Sequence, residues 1–302
     1  MSTVTFETLS QKRTTYLGLY LGGALLLLLA VGLWWAKVSV NPERVFWTTV
    51  KNSMSSEGVT LTVASDSDGT KDEQVIQYSM GNENKLHEIR TTTQGKNVVK
   101  TEWIGTSSKT YTRYTDIQSE ESKGKTKDII GVWADSSSAQ SGVQLLPQVA
   151  LGFALPLGAV PMPMGSISNQ ARDKIVHDMK SRSLYQVSYD KVKKETKDGK
   201  LYYTYDVSMQ PALYLTIMKN FATAAGSKAL DNVEPSQYAN SEMVSLKLTV
   251  DAHAKQLVKV VNESQNYSET YSGHGVAVTV DEPQKVISLT ELQKRLSVLQ
   301  SK

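Results

Sequence analysis

Residues 46–63 read FWTTVKNSMSSEGVTLTV, and within this short stretch the hydrophobic period changes. Phe46, Val50 and Met54 recur at i, i+4 and i+8, the spacing of one face of an α-helix. Val59, Leu61 and Val63 then alternate with Thr60 and Thr62, the spacing of a half-buried strand. A start signal lies just upstream. Asn41 is a good N-cap, Pro42 suits the first turn, and Glu43 complements the positive end of the helix dipole. Gly58 is expected to end this helix.

Downstream the two-residue period persists. Runs near 73–80, 86–94, 97–105 and 108–115 are rich in Thr, Val, Tyr and Ile, with Gly69, Gly81-Asn82, Gln94-Gly95 and Gly105 between them. This pattern predicts an antiparallel meander with one solvated face. Within it, Val99, Thr101 and Trp103 fall on one side and Lys100 and Glu102 on the other. Residues 118–142 read as a loop. A helix near 166–180, a strand over 184–194, an Asp198-Gly199 hairpin turn and a strand over 201–209 follow. Pro211 opens a helix in which Tyr214, Ile217, Met218, Phe221 and Ala225 keep helical spacing and Gly226 supplies the C-cap.

Strands near 243–251, 255–264 and 266–280 form a second meander, with Val276, Val278 and Val280 on one face of the last. His274, between two glycines, marks a bulge or turn. Ser288 and Glu291 make a capping box for a closing helix whose stripe is Leu292, Leu296 and Leu299. The expected fold is α+β: a large curved antiparallel sheet, an unclosed β-barrel, with helices on its concave face, preceded by one transmembrane helix.

That helix is read at 16–36, YLGLYLGGALLLLLAVGLWWA, which carries no charge. At about 1.5 Å per residue it spans roughly 31 Å, close to the hydrocarbon thickness of a bilayer. Leu25, Leu26, Leu27, Leu28 and Leu29 form its centre; Tyr16 and Tyr20 mark one interface and Trp34 and Trp35 the other. A cleaved signal peptide is the competing reading. Its apolar region is shorter and ends in small residues, whereas this run ends in two tryptophans. Lys12 and Arg13 before the span balance Lys37 and Arg44 after it, so charge barely sets orientation. A short leading tail with a large downstream domain favours the N-terminus inside. The expected organisation is a cytoplasmic tail 1–15, a single-pass anchor 16–36 and an extracytoplasmic domain 43–302.

The whole chain carries a formal charge of +3, of which residues 1–42 contribute +2. The near-neutral remainder gives no electrostatic reason to expect nucleic acid as a partner. No cysteine is present, which excludes disulfides, thiolate metal sites, thiol catalysis and a lipidated Cys. His87, His177, His253 and His274 share no metal-ligand spacing, and no nucleophile elbow, Walker loop or dinucleotide fingerprint occurs. Neither a catalytic site nor a cofactor is expected. Tyr202, Tyr203, Tyr205 and Tyr214 could meet carbohydrate or lipid headgroups, or simply sit on a half-buried strand and helix.

Residues 145–165, LLPQVALGFALPLGAVPMPMG, are uncharged and broken by Pro147, Pro156, Pro161 and Pro163, which argues against one long helix. The segment reads either as ordinary core or as an adaptable lid over an apolar ligand. Leu145, Leu146, Val149, Phe153, Leu155, Leu157, Val160, Met162 and Met164 would line the lid, with Trp103 and Trp133 completing the cavity. The thioethers suit varied acyl chains, because methionine is unbranched and repacks readily.

The order of elements, together with FWTTVKNSMSSEGVTLTV, TEWIGTSSKTYTRYTDI (101–117), DGKLYYTYDV (198–207) and SLKLTVDAHAKQLVKVV (245–261), resembles the lipoprotein-carrier superfamily. That group comprises the bacterial periplasmic lipoprotein carriers and the mycobacterial lipid-binding lipoproteins. The resemblance covers about 43–302 and is one of layout. It implies a half-barrel whose cavity binds lipid or lipoprotein acyl chains without covalent chemistry. The chain departs from that pattern in its transmembrane tether and in lacking a lipidated Cys. The function expected is a membrane-tethered lipid- or lipoprotein-binding protein of the cell envelope. The alternative is an interaction module of an envelope complex with a filled core and another envelope protein as partner.

Overall fold

In a computed structural model, residues 40–67, 69–79, 85–106, 109–119, 122, 124–137, 162–226 and 230–300 are described. The candidate anchor 16–36 lies outside them, and so does 138–161. Among the described residues no helix is long and apolar enough to cross a membrane. The Asn41 side chain accepts from the Arg44 N–H at 3.1 Å and opens helix α1, Pro42–Ser53. The helix stops at Ser53, short of Gly58, which instead begins the first strand.

Strands β1 (Gly58–Ser67), β2 (Thr70–Ser79), β3 (Lys85–Gln94), β4 (Asn97–Thr106) and β5 (Thr110–Gln118) form the expected meander. A short β6 (Trp133–Asp135) lies in the stretch read as loop. Helix α2 (Asn169–Ser181) follows, then β7 (Tyr185–Val187), β8 (Lys193–Lys197) and β9 (Lys200–Met209). A 3-10 turn at Tyr189–Lys191 breaks the single strand expected over 184–194. Asp198 and Gly199 both take positive φ (51° and 73°), as a tight hairpin between right-twisted strands requires. Helix α3 (Pro211–Ala224), β10 (Val244–Asp251), β11 (Gln256–Asn262), β12 (Tyr267–Ser272), β13 (Val286–Ser288) and α4 (Leu289–Gln300) complete the chain.

Among the described residues thirteen strands join one sheet in the order β13-β6-β5-β4-β3-β2-β1-β12-β11-β10-β9-β7, with β8 on β9. Its terminal strands do not meet, so the sheet is unclosed. Every pairing is antiparallel except β13 with β6. The sheet is therefore mixed, and the α+β class holds.

Directly paired residues project to the same face. One register row runs Tyr271–Leu61–Ile76–Glu88–Trp103–Thr112–Ala134 across β12, β1 and β2–β6. Leu61 and Ile76, at one end, belong to the main core with Phe46, Val50, Ile175, Ile217 and Phe221 of α1–α3. Ala134, at the other end, packs with Ile129 and Leu292, flanked by Tyr114, Ile117, Leu296 and Leu299. Helices thus cover both ends of one inner face. Glu88 and Trp103, between them, belong to neither cluster.

The strand expected over 266–280 ends at Ser272. Gly273 and Gly275 take φ of +59° and +79° and turn the chain out of the sheet. Residues 273–285 instead form a strap from β12 to β13. Gly275 N–H donates to the Gly58 carbonyl at 2.8 Å, and Glu282 meets Lys109 at 2.8 Å. A Cβ at Gly58 would lie 2.0 Å from the Val276 carbonyl oxygen. Gly58→Ala should therefore destabilise the full chain by about 1–3 kcal/mol, the usual cost of overpacking. Urea unfolding in mild detergent should show a lower midpoint; an unchanged midpoint refutes this close approach.

Candidate functional site

On β1 the inward residues are Val59, Leu61 and Val63, all buried. The neighbouring strands change character. Register places Asp72, Gln74, Ile76 and Tyr78 inward on β2, Glu88, Arg90 and Thr92 on β3, and Val99, Thr101 and Trp103 on β4. The trough between the two helical covers is therefore lined by polar groups around one tryptophan.

Asp72 organises this lining. It accepts a forked pair from Arg90 (2.9 and 2.6 Å), a third bond from Gln74 Nε2 (2.9 Å) and a fourth from Thr92 (3.0 Å). Burial raises the Asp72 pKa, but the Arg90 and Gln74 hydrogen bonds outweigh it and leave the carboxyl below its ordinary value. Gln74 is only 5% exposed, and its Oε1 has no hydrogen-bond partner. An orphaned buried acceptor costs about 1–3 kcal/mol. Half-buried Glu88, between Ile76 and Trp103, has its pKa raised by burial, with Arg90 opposing and Asp72 reinforcing the shift.

Deeper on the same face, Glu269 pairs in register with Val63 and Val260 and is fully buried. Tyr267 donates to its carboxylate at 2.5 Å, and Tyr271 donates to the other oxygen. Tyr78 donates to Met164 Sδ at 3.1 Å. No sequence motif marks this cluster. Its signal was the alternation in YSETY, 267–271, which places both tyrosines and the glutamate on one face.

The sequence-predicted site residues separate. Trp103 faces the trough. Trp133 does not: it neighbours inward-facing Ala134, so strand alternation turns it to the opposite face. There the Arg113 guanidinium stacks 4.4 Å from its ring centre, and Arg113 binds Glu102, which meets His87 at 2.9 Å. The two tryptophans therefore share no cavity. Met162 and Met164 are buried in the main core. Ser53 Oγ donates to the Pro163 carbonyl (2.7 Å), while Gly165 and Ile167 N–H groups donate to Ser53 and Met54 carbonyls (3.1 and 3.2 Å). These bonds satisfy carbonyls that the end of α1 leaves open. Leu145, Leu146, Val149, Phe153, Leu155, Leu157 and Val160 lie outside the described residues. Tyr203, Tyr205 and Tyr214 are core residues, at most 2% exposed, so they offer no open tyrosine surface. Among the described residues no set of three His, Asp or Glu side chains could hold a metal ion.

No protein-family model matches this chain, and no curated protein does. Among solved structures it is similar to the crystal structure of LprF from Mycobacterium bovis. The identity is 14%, the match covers 80% of this chain and 96% of that one, and the TM-score is 0.43.

Burial pushes the Glu269 pKa up from 4.5 to about 7, against the pull of its two tyrosine hydrogen bonds. The folded state thus holds this proton more tightly than the unfolded chain. Its stabilising contribution is full below about pH 4.5 and is lost as pH rises through 7, a change of about 3 kcal/mol. Urea midpoints in mild detergent should fall between pH 5 and pH 8. Glu269→Gln should flatten that slope; an unaltered slope in the variant would assign the effect to another group.

Proposed function

We propose that this chain is a single-pass membrane protein of the bacterial cell envelope, N-terminus cytoplasmic, anchored by 16–36. Its extracytoplasmic domain binds lipid or lipoprotein acyl chains, holding or transferring them without covalent chemistry. One observation carries the reading: the row from Leu61 to Ala134 is covered by helices at both ends and, among the described residues, not over Glu88 and Trp103. The trough suits an amphipathic guest. Arg90, bound to Asp72 through Nε and one terminal nitrogen, keeps 47% of its side chain exposed and offers its other terminal nitrogen to a polar headgroup, and the Trp103 ring meets the start of a chain. The uncharged run read at 145–165 ends in the buried Met162 and Met164. Its last residues are fixed beside Tyr78 on β2, at the margin of the trough. The tether keeps the cargo close to its own bilayer, which favours holding or handing over lipid there.

A second reading, an interaction module with a filled core, has its own support. Helices α1–α3 already occupy the inner face of β1 and β9–β12. The outer face exposes a directly paired Val75 and Ile89, 38% and 42% exposed.

The test is photo-crosslinking of the full chain, in its membrane, with a diazirine phospholipid. Adducts on the anchor serve as the internal control. Binding predicts further adducts on 85–106, reduced about tenfold by Trp103→Lys, the equivalent of about 1.4 kcal/mol. Adducts confined to the anchor, with one protein partner trapped stoichiometrically, would favour the second reading.

A further inference from the structure

Away from the trough, helices α1 and α2 leave a groove of about 400 Å³ between them. Its wall carries three cations, Arg44, Lys51 and Lys180, against one carboxylate, Glu43. Trp47 forms part of its lining, with the Lys180 ammonium 4.9 Å from the ring centre. Lys51 is paired with Asp173 but keeps 41% of its side chain exposed. The groove also includes Asn41, where the described domain joins the chain leading from 16–36.

That junction is held rigidly. Tyr203 donates to the Val40 carbonyl at 2.7 Å and Tyr205 to the Pro42 carbonyl at 2.9 Å, one on each side of Asn41. A further cation, Lys194, lies 5.4 Å from the centre of the same Tyr203 ring. Four residues, 37–40, lie between Ala36 and Asn41, and the five Cα steps across them reach at most about 18 Å even fully extended. The headgroup layer itself adds roughly 5–8 Å beyond the hydrocarbon. A groove of cations and one tryptophan is thereby confined to the neighbourhood of lipid phosphates. Cations near an anionic surface are drawn to it, and tryptophan favours the interface.

We infer that the α1–α2 groove binds the phosphate of an anionic phospholipid in the leaflet from which the domain emerges, docking the domain on its own membrane. This rests on the anchor proposed above. It adds a second, charge-selective contact that fixes how the domain lies on the bilayer, separate from any cargo in the trough.

The chain has no cysteine, so Thr48→Cys places one fluorophore in the groove wall. Full-length labelled protein is reconstituted in vesicles of phosphatidylcholine alone or with phosphatidylglycerol, and quenching by neutral acrylamide is measured. Phosphatidylglycerol should lower quenching about threefold, with high salt reversing the change. The pair Lys51→Gln and Lys180→Gln should abolish that protection while leaving quenching on phosphatidylcholine unaltered, which shows the fold intact. Lys96→Gln, on the β3–β4 turn, should keep it. Equal quenching on the two vesicles, or protection that survives loss of both lysines, overturns the inference. Protection on phosphatidylcholine produced by inorganic phosphate overturns the lipid as source. Flotation tests the anchor separately. A chain that fails to float with phosphatidylcholine refutes the tether, and protection by phosphatidylglycerol vesicles still decides the groove.

Discussion

Phe46 is the contact on which the attitude of α1 depends. Its fully buried ring meets Trp47, Tyr185, Tyr189 and Tyr205 edge-on, with centroids 5.3–5.9 Å apart. Such T-shaped pairs add about 0.5–1.5 kcal/mol each beyond the area they bury. One side chain thus locks α1 to β7, to β9 and to the turn that follows β7. The Tyr203 and Tyr205 hydroxyls then hold the carbonyls at the start of the helix. Burial raises both phenol pKa values, so they stay protonated and keep donating. With the start of α1 fixed, its far end is placed where 163–167 can satisfy it, and Met164 reaches Tyr78. The groove along the helix and the margin of the trough at its C-terminal end share this single constraint.

The sheet divides its inner face into two chemistries. Around β1 and β9–β12 the inward residues are apolar or tyrosine, and α1–α3 fill the space above them. The buried exceptions are Glu269, satisfied by Tyr267 and Tyr271, and Asn262, which donates to Gln265 and accepts from Ser264. On β2–β4 the inward positions turn polar. There Asp72 is fully engaged, while Gln74 keeps an acceptor without a donor. A buried acceptor left this way costs the fold about 1–3 kcal/mol.

Much of the architecture was legible in local patterns. Asn41-Pro42-Glu43 marked the start of α1, Asp198-Gly199 marked a hairpin, and Ser288 caps α4 by accepting the Glu291 N–H at 3.1 Å. These signals work because a cap or tight turn is decided within a few residues. Alternation also placed Val99, Thr101 and Trp103 on the correct face. It misled where polar residues face inward: on β3, Glu88 and Arg90 point toward the trough while Ile89 is exposed. Spaced valines at 276, 278 and 280 imitated a strand, although the glycines at 273 and 275 had already turned the chain away. Three-residue β6 and β13 pair across more than 150 residues, so no local window could reveal them, or the face of Trp133. The groove residues Arg44, Trp47 and Lys51 keep helical spacing on α1, but the second wall is Val176 and Lys180 of α2.

The sheet order has a further consequence, for how the chain is assembled. β1 lies between β2, which follows it at once, and β12, which is made about two hundred residues later. The β1–β5 meander can zip up from neighbouring hairpins. Its union with β9–β12 is a long-range closure, and such contacts slow folding because the loop entropy is lost before they reward it. Until residues 267–272 arrive, Leu61 and Val63 border an unpaired strand edge, a template for wrong partners. In a nascent chain that edge stays open until the late strands are made, and the final third of the polypeptide acts as the closing seam of the whole sheet.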